Sequence, residues 1–521
     1  MGFITNWELL SSWWNRTSHV INNPFAKLYM IMTPPASSSS SSSTDEPSSL
    51  LQTRYCELYK RYEEYHQSHL LKFYPDLTND EKHSLLNQLE SIPIETIDSL
   101  FQSAQNNAHC VKSDDIQPFR GAVGDVGKVR IETNAWEVGV EAVRLGKVAA
   151  VTLAGGQGTR LGFAGPKGKY VLPQFSSSLF GVVAQRIVRL KSIASSSEGE
   201  SCVRLPWYIM TSPLNDAETR QFFRSNSYFG LDEEDVVFFK QGTLPCLDFE
   251  GKVLLKTKSE VAEAPDGNGG IWTQMKNDNL TADMRKRGVD YLHIFSIDNA
   301  LVRPADPTFV GYCINESADC GNKVLWKSHA FEKVGVIAEI HGRPQIVEYS
   351  DMSQSLCEKV DENGKLLFGA GNICNHFFTV DFVENMIMPS VEAASLYHIA
   401  KKKISCVDIS TGVDIKATEN NGIKLETFIF DVFPLSEKMA VLNVNRDEEF
   451  APVKNAPDAD VDSPYTARKM ISDLAKKYAI AAGYVLTGDV QSDECEISPL
   501  TSYSGEGIDG NGKSLVCPFR M

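Results

Sequence analysis

The sequence lacks several features that would assign it to a class at once. None of its 11 cysteines forms a C-x-x-C pair or gathers with histidine at zinc-ligand spacing, which excludes a structural zinc site and a dithiol redox centre. Reduced thiols in the cytoplasm are the expected state. No apolar run approaches the roughly 18 residues that a membrane span needs. Residues 1–32 hold three tryptophans but no continuous apolar stretch, so no cleaved signal peptide is expected. Asn6 stands where myristoylation would want Ser or Thr, and the last four residues carry no prenylation cysteine. A formal net charge of −16, from 51 basic and 67 acidic side chains, argues against a nucleic-acid backbone as partner. Neither a nucleic acid nor a membrane is expected to bind, and any phosphate ligand must find locally clustered Lys and Arg.

At 521 residues the chain is too long for one simple core, while 42% hydrophobic and 23% charged residues are ordinary for a globular protein. Four regions are expected: a low-complexity extension (1–48, with seven consecutive serines, Ser37 to Ser43), a helical N-terminal domain (49–140), a catalytic domain (141–451) and a small C-terminal domain (452–521). In the second region Thr78 and Glu81 predict a capping box, followed by Leu85, Leu86, Leu89 and Ile92 on one helix face until Pro93. A further helix is expected over Trp136 to Leu145.

From Lys147 strands and helices alternate. Strands are expected over Lys147 to Leu153, Trp207 to Thr211, Val236 to Lys240 and Tyr291 to Ile297, with a helix over Leu179 to Ile193 that turns Val183, Ile187 and Leu190 to one side. The pattern predicts an α/β fold with a doubly wound, mostly parallel, Rossmann-like sheet. Ligands of such sheets bind at the carboxyl ends of strands, where Gly155, Thr211, Gln241 and Asp298 fall. Later, Lys401 to Lys403 reads as a solvated helix face, Phe428 and Phe430 read by spacing as strand core, and Tyr465 to Tyr478 reads as a helix.

The densest signal is VTLAGGQGTRLGFAGPKGKY, Val151 to Tyr170. A buried strand runs into Gly155, Gly156, Gly158 and Gly162, whose missing Cβ atoms let backbone N–H groups approach an anion, and Arg160 and Lys167 add positive charge. Leu161 stands where the dinucleotide fingerprint needs glycine, and Tyr170 where a P-loop needs Ser or Thr, so neither motif is present. Asp298, at a strand end, is placed to hold Mg²⁺ against phosphate oxygens, or else to serve as a turn residue. Asp266, in P-D-G-N, reads as turn chemistry.

GGQGTRLG followed by PKG resembles the signature of the eukaryotic UDP-N-acetylglucosamine diphosphorylases, within the UDP-sugar pyrophosphorylases. WYIMTS, FFKQGTLP, APDGNGG, SIDN, VEYSD, GAGNICNHFF, NGIKLETFIFD, PVKNA and CEISPLTSYSGEG match in the same order, from about Leu70 to about Gly507. The resemblance implies a nucleotide-diphospho-sugar transferase fold and the conversion of UTP and N-acetylglucosamine 1-phosphate into UDP-N-acetylglucosamine and pyrophosphate, with Mg²⁺ or Mn²⁺ as cofactor. It implies catalytic roles for Arg160, Lys167 and Lys454 and a metal at Asp298. It assigns the nucleotide to Gly155, Gly156, Gly158, Thr159, Thr211, Gln241 and Gly267. It assigns the sugar to Asn268, Gly335, Glu348, Tyr349, Asn372, Lys424, Phe428 and Phe430.

Two stretches depart from the family pattern. After PKG, Lys169 to Gln174 replaces the usual aspartate and G-L-P-S turn and is one residue shorter; after APDGNGG, Ile271 to Gln274 replaces an aromatic followed by Arg or Ser and Ala. The ending GKSLVCPFRM has no match. Two other readings therefore stand beside the first: a broad UDP-sugar pyrophosphorylase, and a catalytically weak paralogue that binds UDP-sugar as a regulatory protein.

Overall fold

The computed structural model describes residues 48–107, 113–173, 175, 177–195, 203–391 and 397–521. The serine run, the three N-terminal tryptophans and Gln174 lie outside the described residues. The chain divides into two compact units, 1–54 and 55–521. Of the first, the described part is the start of the helix Ser48–Glu64; the second carries everything that follows.

Eight strands succeed one another across the central sheet: β1 Val123–Asp125, β2 Val148–Leu153, β3 Trp207–Thr211, β4 Val236–Lys240, β5 Tyr291–Ser296, β6 Cys320–Trp326, β7 Ala370–Thr379 and β8 Met439–Asn443. Their spatial order is β1-β8-β6-β7-β5-β2-β3-β4. All run parallel except β7, which is antiparallel to both of its neighbours. The start of β7 therefore lies at the same end of the sheet as the finishes of the others. Strands Val336–Ile340 and Arg343–Val347 form a hairpin joined to that start by the pair Val336 and Gly371.

Every residue of β2 and β3 is buried. Val148, Ala150, Trp207 and Ile209 pack into one core with Val183, Ile187 and Leu190 of the helix Leu179–Ala194, whereas Ala149, Val151, Tyr208 and Met210 pack into the opposite core with Ile271, Trp272 and Phe378. A strand covered on both faces must be apolar at every position, which is why these read as unbroken runs. Burying each such side chain contributes about 1.5–3 kcal/mol.

The expected capping box is formed: the Thr78 hydroxyl accepts from the Glu81 N–H, and the Glu81 carboxylate accepts from the Thr78 N–H at 2.9 Å. Within the region expected to be a helical domain, Ile116–Pro118 and Val123–Asp125 are strands that join the central sheet. Two expectations are corrected. His398–Lys402 is a strand paired with Gly422–Glu426 and not a helix, because its conformation is set by a partner strand about 25 residues further on, invisible in a run of lysines. Phe428 and Phe430 are not strand core: Phe428 leads into the 3-10 helix Ile429–Leu435, where the Asp431 carboxylate accepts its N–H at 2.7 Å.

The last residues are folded as well. Ser514–Cys517 runs parallel to Val485–Gly488, next to the helix Pro464–Ala481, and Glu496 exchanges backbone hydrogen bonds with Phe519 and Met521.

Candidate functional site

At the carboxyl end of β2 the chain turns sharply, and its carbonyls are held from behind. Asn215 Nδ2 donates to the carbonyl oxygens of Ala154 and Gly156 at 2.9 and 3.4 Å, and Ser212 Oγ donates to that of Gly155 at 2.9 Å. Among the described residues the N–H groups of Gly155 and Gly156 have no such partner. This leaves two backbone donors for an anionic or polar ligand. A Cβ at Gly155 would lie 2.8 Å from Gln241 Oε1, and one at Gly168 would lie 2.2 Å from the Phe180 ring, so both glycines are set by close approach.

Three charged side chains converge beside this loop. Lys167 Nζ lies 3.7 Å from Asp298 Oδ2, both less than one-fifth exposed. Lys454 is brought in from far along the chain by Asn299, whose Nδ2 donates to the Glu449 carbonyl at 2.7 Å and whose Oδ1 accepts from Ala451 N–H at 2.9 Å. Val453 N–H then donates to the Asp298 carbonyl at 2.8 Å. The proximity shows at Cys374: burial pushes its thiol up to about 12, Asp298 reinforces that and Lys454 opposes it. Thr159 and Arg160 are exposed on the loop, and Arg160 forms no ion pair with a described residue. Lys169, at the altered stretch, is drawn away to Glu218 and lies over the Phe222 ring.

The segment carrying Lys454 is anchored on a buried charge cluster that sequence reading missed. Lys323, fully buried, sits 2.5 Å from both Asp306 and Glu449. Arg303 reaches Glu449 at 3.2 Å, Glu448 at 3.4 Å and the Tyr478 hydroxyl at 2.9 Å. Burial alone would raise the Asp306 carboxyl, but Lys323 and Arg303 hold it down to about 2. Nothing in the spacing of residues 303, 306, 323 and 449 signals that they meet.

At the ends of β3 and β4, Gln241 N–H donates to the Thr211 carbonyl at 2.9 Å. The Thr211 hydroxyl is fully buried and bonded to Asp216 Oδ1 at 2.7 Å and the Phe239 carbonyl at 3.0 Å, so this side chain shapes the strand ends and presents nothing to the cleft. Gly267 has φ +91° and lies so close to Thr427 that a Cβ would be 2.2 Å from its carbonyl oxygen.

On the opposite side, Asn268 Oδ1 accepts from Ile429 N–H at 3.1 Å, which ties the PDGNGG turn to Phe428 and Phe430. Trp272, at the second altered stretch, is buried and donates to the Ile429 carbonyl at 3.1 Å, fixing the same segment from below. The Phe428 and Phe430 rings are stacked, 5.2 Å apart with 19° between planes. Asn372 N–H donates to the Gly335 carbonyl at 2.8 Å, and Asn372 Oδ1 accepts from Cys374 N–H at 3.1 Å within an irregularity of β7. Burial raises the Glu348 carboxyl above its ordinary value; Asp351 and Asp431 add to this, while His398 and Lys454 oppose it. A Cβ at Gly335 would lie 2.9 Å from Glu348 Oε1. Tyr349 is about half exposed. Lys424 faces Cys246, whose thiol burial raises to about 11 against the lysine charge, and the contacts described do not join it to Lys167, Asp298 and Lys454.

His398 was not foreseen. Its Nε2 lies 3.0 Å from Asp431 Oδ1 and its ring packs on Phe428, 4.9 Å between centroids. Burial lowers its pKa, but the hydrogen bond and charge of Asp431 outweigh that and raise it overall. Only Asp431, inside the quoted NGIKLETFIFD, gave a signal. The site as a whole offers backbone donors, one lysine against a carboxylate and a second lysine acting on the same neighbourhood, with the amides of Asn268 and Asn372 and an aromatic shelf nearby. That is suited to aligning anionic groups, with a planar ring on one side and a polyhydroxylated one on the other.

The chain as a whole has relatives among known proteins. A chain from Xenopus tropicalis described as UDP-N-acetylhexosamine pyrophosphorylase-like protein 1 is 42% identical over 478 residues, covering 86% of this chain and 92% of that one. The UDP-N-acetylglucosamine diphosphorylase 2 of Arabidopsis thaliana is 39% identical over 479 residues, 89% of this chain and 93% of its own. Among solved structures, the uridine diphosphate N-acetylglucosamine pyrophosphorylase from Trypanosoma brucei in complex with inhibitor superimposes with a TM-score of 0.76 at 29% identity, covering 91% of this chain and 95% of that one. The profile of the family described as UTP--glucose-1-phosphate uridylyltransferase matches residues 95–485, a span that takes in β1 to β8 and the residues of the site. On the strength of that match and of the relatives that share nearly its full length, the chain belongs to this uridylyltransferase family.

Proposed function

We propose that this chain is a UDP-N-acetylglucosamine diphosphorylase: an oxygen of N-acetylglucosamine 1-phosphate attacks the α-phosphorus of UTP, the bond to the β-phosphate breaks, and pyrophosphate leaves. The observation that carries the reading is the convergence of Lys167, Asp298 and Lys454, from three distant parts of the sequence, near the N–H groups of Gly155 and Gly156, which have no partner among the described residues, and near Glu348, Asn372, Phe428 and Phe430. The sugar phosphate is already an anion, so no base is needed to generate the nucleophile. Alignment and charge neutralisation are the catalytic task. Lys167 and Lys454 would supply most of it, with Arg160 closing over the phosphates from the exposed loop.

Asp298 would hold Mg²⁺ or Mn²⁺. Among the described residues no group of three or more His, Cys, Asp or Glu could hold a metal ion, so one carboxylate would share the ion with phosphate oxygens and water, an arrangement magnesium accepts. When bound, the ion would neutralise developing phosphate charge. Gln241, Gly156 and Gly267 would meet the base; Asn268, Glu348, Asn372 and Gly335 the sugar hydroxyls; and the aromatic shelf the acetyl methyl. No described helix is long and apolar enough to cross a membrane, and the nine described cysteines are free, which supports a reducing, cytoplasmic setting.

Pyrophosphate release from UTP with a panel of sugar 1-phosphates tests the proposal. N-acetylhexosamine 1-phosphates should give the highest kcat/KM, with the GalNAc compound usable because it differs in one hydroxyl. Equal values for glucose and GlcNAc 1-phosphates would mark a broad UDP-sugar pyrophosphorylase, and UDP-sugar binding without turnover a regulatory protein.

A further inference from the structure

Gln241 is 8% exposed, and its Nε2 donates to the Gly267 carbonyl oxygen. Beside it lies Asp266, 7% exposed, whose Oδ1 has no hydrogen-bond partner among the described residues. The backbone of Asp266 is pinned on both sides: its carbonyl accepts from Thr427 N–H and Oγ1 at 2.8 and 3.1 Å, and its N–H donates to the Gly242 carbonyl at 3.3 Å. The carboxyl occupies a space kept open by two glycines. A Cβ at Gly270 would lie 2.1 Å from Oδ1, and one at Gly242 would lie 2.8 Å from Oδ2. Burial pushes this carboxyl up to about 7, and hydrogen bonding from the Gln241 amide opposes the push.

A primary amide has one face that donates and one that accepts. With the Gly267 carbonyl accepting from the amide and the Asp266 carboxyl packed beside it, the Gln241 NH₂ must point there, since the reverse orientation would set its oxygen against a carbonyl that can only accept. Its oxygen then points the other way, toward the glycine loop, where Oε1 is the atom nearest a Cβ built on Gly155. We propose that Asp266 is a positioning residue for Gln241, locking the amide so that its oxygen accepts from the N3–H of uracil and meets only a lone pair on N3 of cytosine. Asp266 thereby sets uridine over cytidine triphosphate without touching the base. The inference rests on the reading of Gln241 as the side chain that meets the base. A site built to accept one specific hydrogen discriminates strongly against an analogue that lacks it.

The test is kcat/KM for UTP and CTP, each with N-acetylglucosamine 1-phosphate, in wild type, Asp266→Ala, Asp266→Asn and Gln241→Ala, with melting temperatures alongside. Asp266→Ala should lower the UTP:CTP ratio by about tenfold, the scale of one buried polar group losing its partner. Asp266→Asn keeps an acceptor oxygen and should hold the ratio within about threefold of wild type. If Asp266→Ala does not fold, Gly242→Ala displaces the carboxyl without removing it and should lower the ratio in the same direction. A wild-type ratio in the folded Asp266→Ala variant, or in Gly242→Ala where the former cannot be prepared, overturns the proposal. Gln241→Ala separates the two layers. If it leaves the ratio unchanged, the base-reading role of Gln241 fails and the inference with it; if it collapses the ratio while Asp266→Ala does not, only the positioning role fails.

Discussion

The two halves of the cleft are built in different ways. The half proposed for base and phosphate uses the carboxyl ends of β2, β3, β4 and β5, neighbours on the sheet whose loops carry short, continuous motifs. The half proposed for the sugar gathers Gly335, Glu348, Asn372, His398 and Phe428 from a hairpin, the start of β7, a small two-stranded sheet and the entry to a 3-10 helix. The first half obtains its geometry from regular parallel pairing and the second from individual hydrogen bonds, such as Asn372 to Gly335 and Phe428 to Asp431. Charge chemistry is therefore expected to reside in the regular half and selectivity in the assembled one.

The strongest way to break this comparison is to cut the tie between sheet and Lys454. Glu449→Ala leaves the buried Lys323 and Arg303 short of a partner and should cost about 3–5 kcal/mol of stability, read by urea unfolding. The same cluster predicts the acid limit. The Asp306 carboxyl is depressed to about 2, so its contribution is full above the ordinary carboxylate range near 4 and disappears as pH falls through about 2. Melting temperature against pH should drop across that window.

Next in size, Lys167→Ala should lower kcat by about 10² to 10³, or about 2.7–4 kcal/mol, if its charge acts chiefly on the transition state. The ratio of GlcNAc to glucose 1-phosphate should stay unchanged; a shift in that ratio would break the division between the halves. Phe428→Ala should do the reverse, reducing the preference for N-acetylated sugar by about 1–3 kcal/mol with a smaller change in kcat.

The smallest effect concerns His398. Its pKa is raised by Asp431, so the ion pair is complete below the ordinary histidine value near 6.5 and fades as pH rises through the raised value. KM for the sugar phosphate should climb by no more than about twofold across that range in wild type, because the imidazole is about half exposed. His398→Gln should give a flat profile; an unchanged climb would separate the histidine from the shelf.

Legibility in the sequence followed the same division. β2 and β3 are readable because burial on both faces leaves unbroken apolar runs, and the capping box at Thr78 because its partners are three residues apart. The lysine run at 401–403 and the spacing of Phe428 and Phe430 misled, since a strand without a core-facing pattern and an aromatic shelf beside a cleft both owe their conformation to residues elsewhere in the chain. The buried cluster of Lys323, Asp306, Arg303 and Glu449 was invisible: a charged side chain reads as surface until its partners arrive in space.

By itself the sequence determined the parallel sheet, the glycine turn at the end of β2 and the presence of lysines and a carboxylate able to serve phosphate, because these depend on periodicity, on the absence of Cβ atoms and on residue type. Only the tertiary structure decided that Lys167 pairs with Asp298, that Lys454 comes close enough to act on the same buried thiol, Cys374, and that the Gln241 amide donates to the Gly267 carbonyl next to the buried Asp266. Those are relations between atoms far apart in the chain, and hydrogen-bond direction, burial and charge act over ångströms regardless of sequence separation.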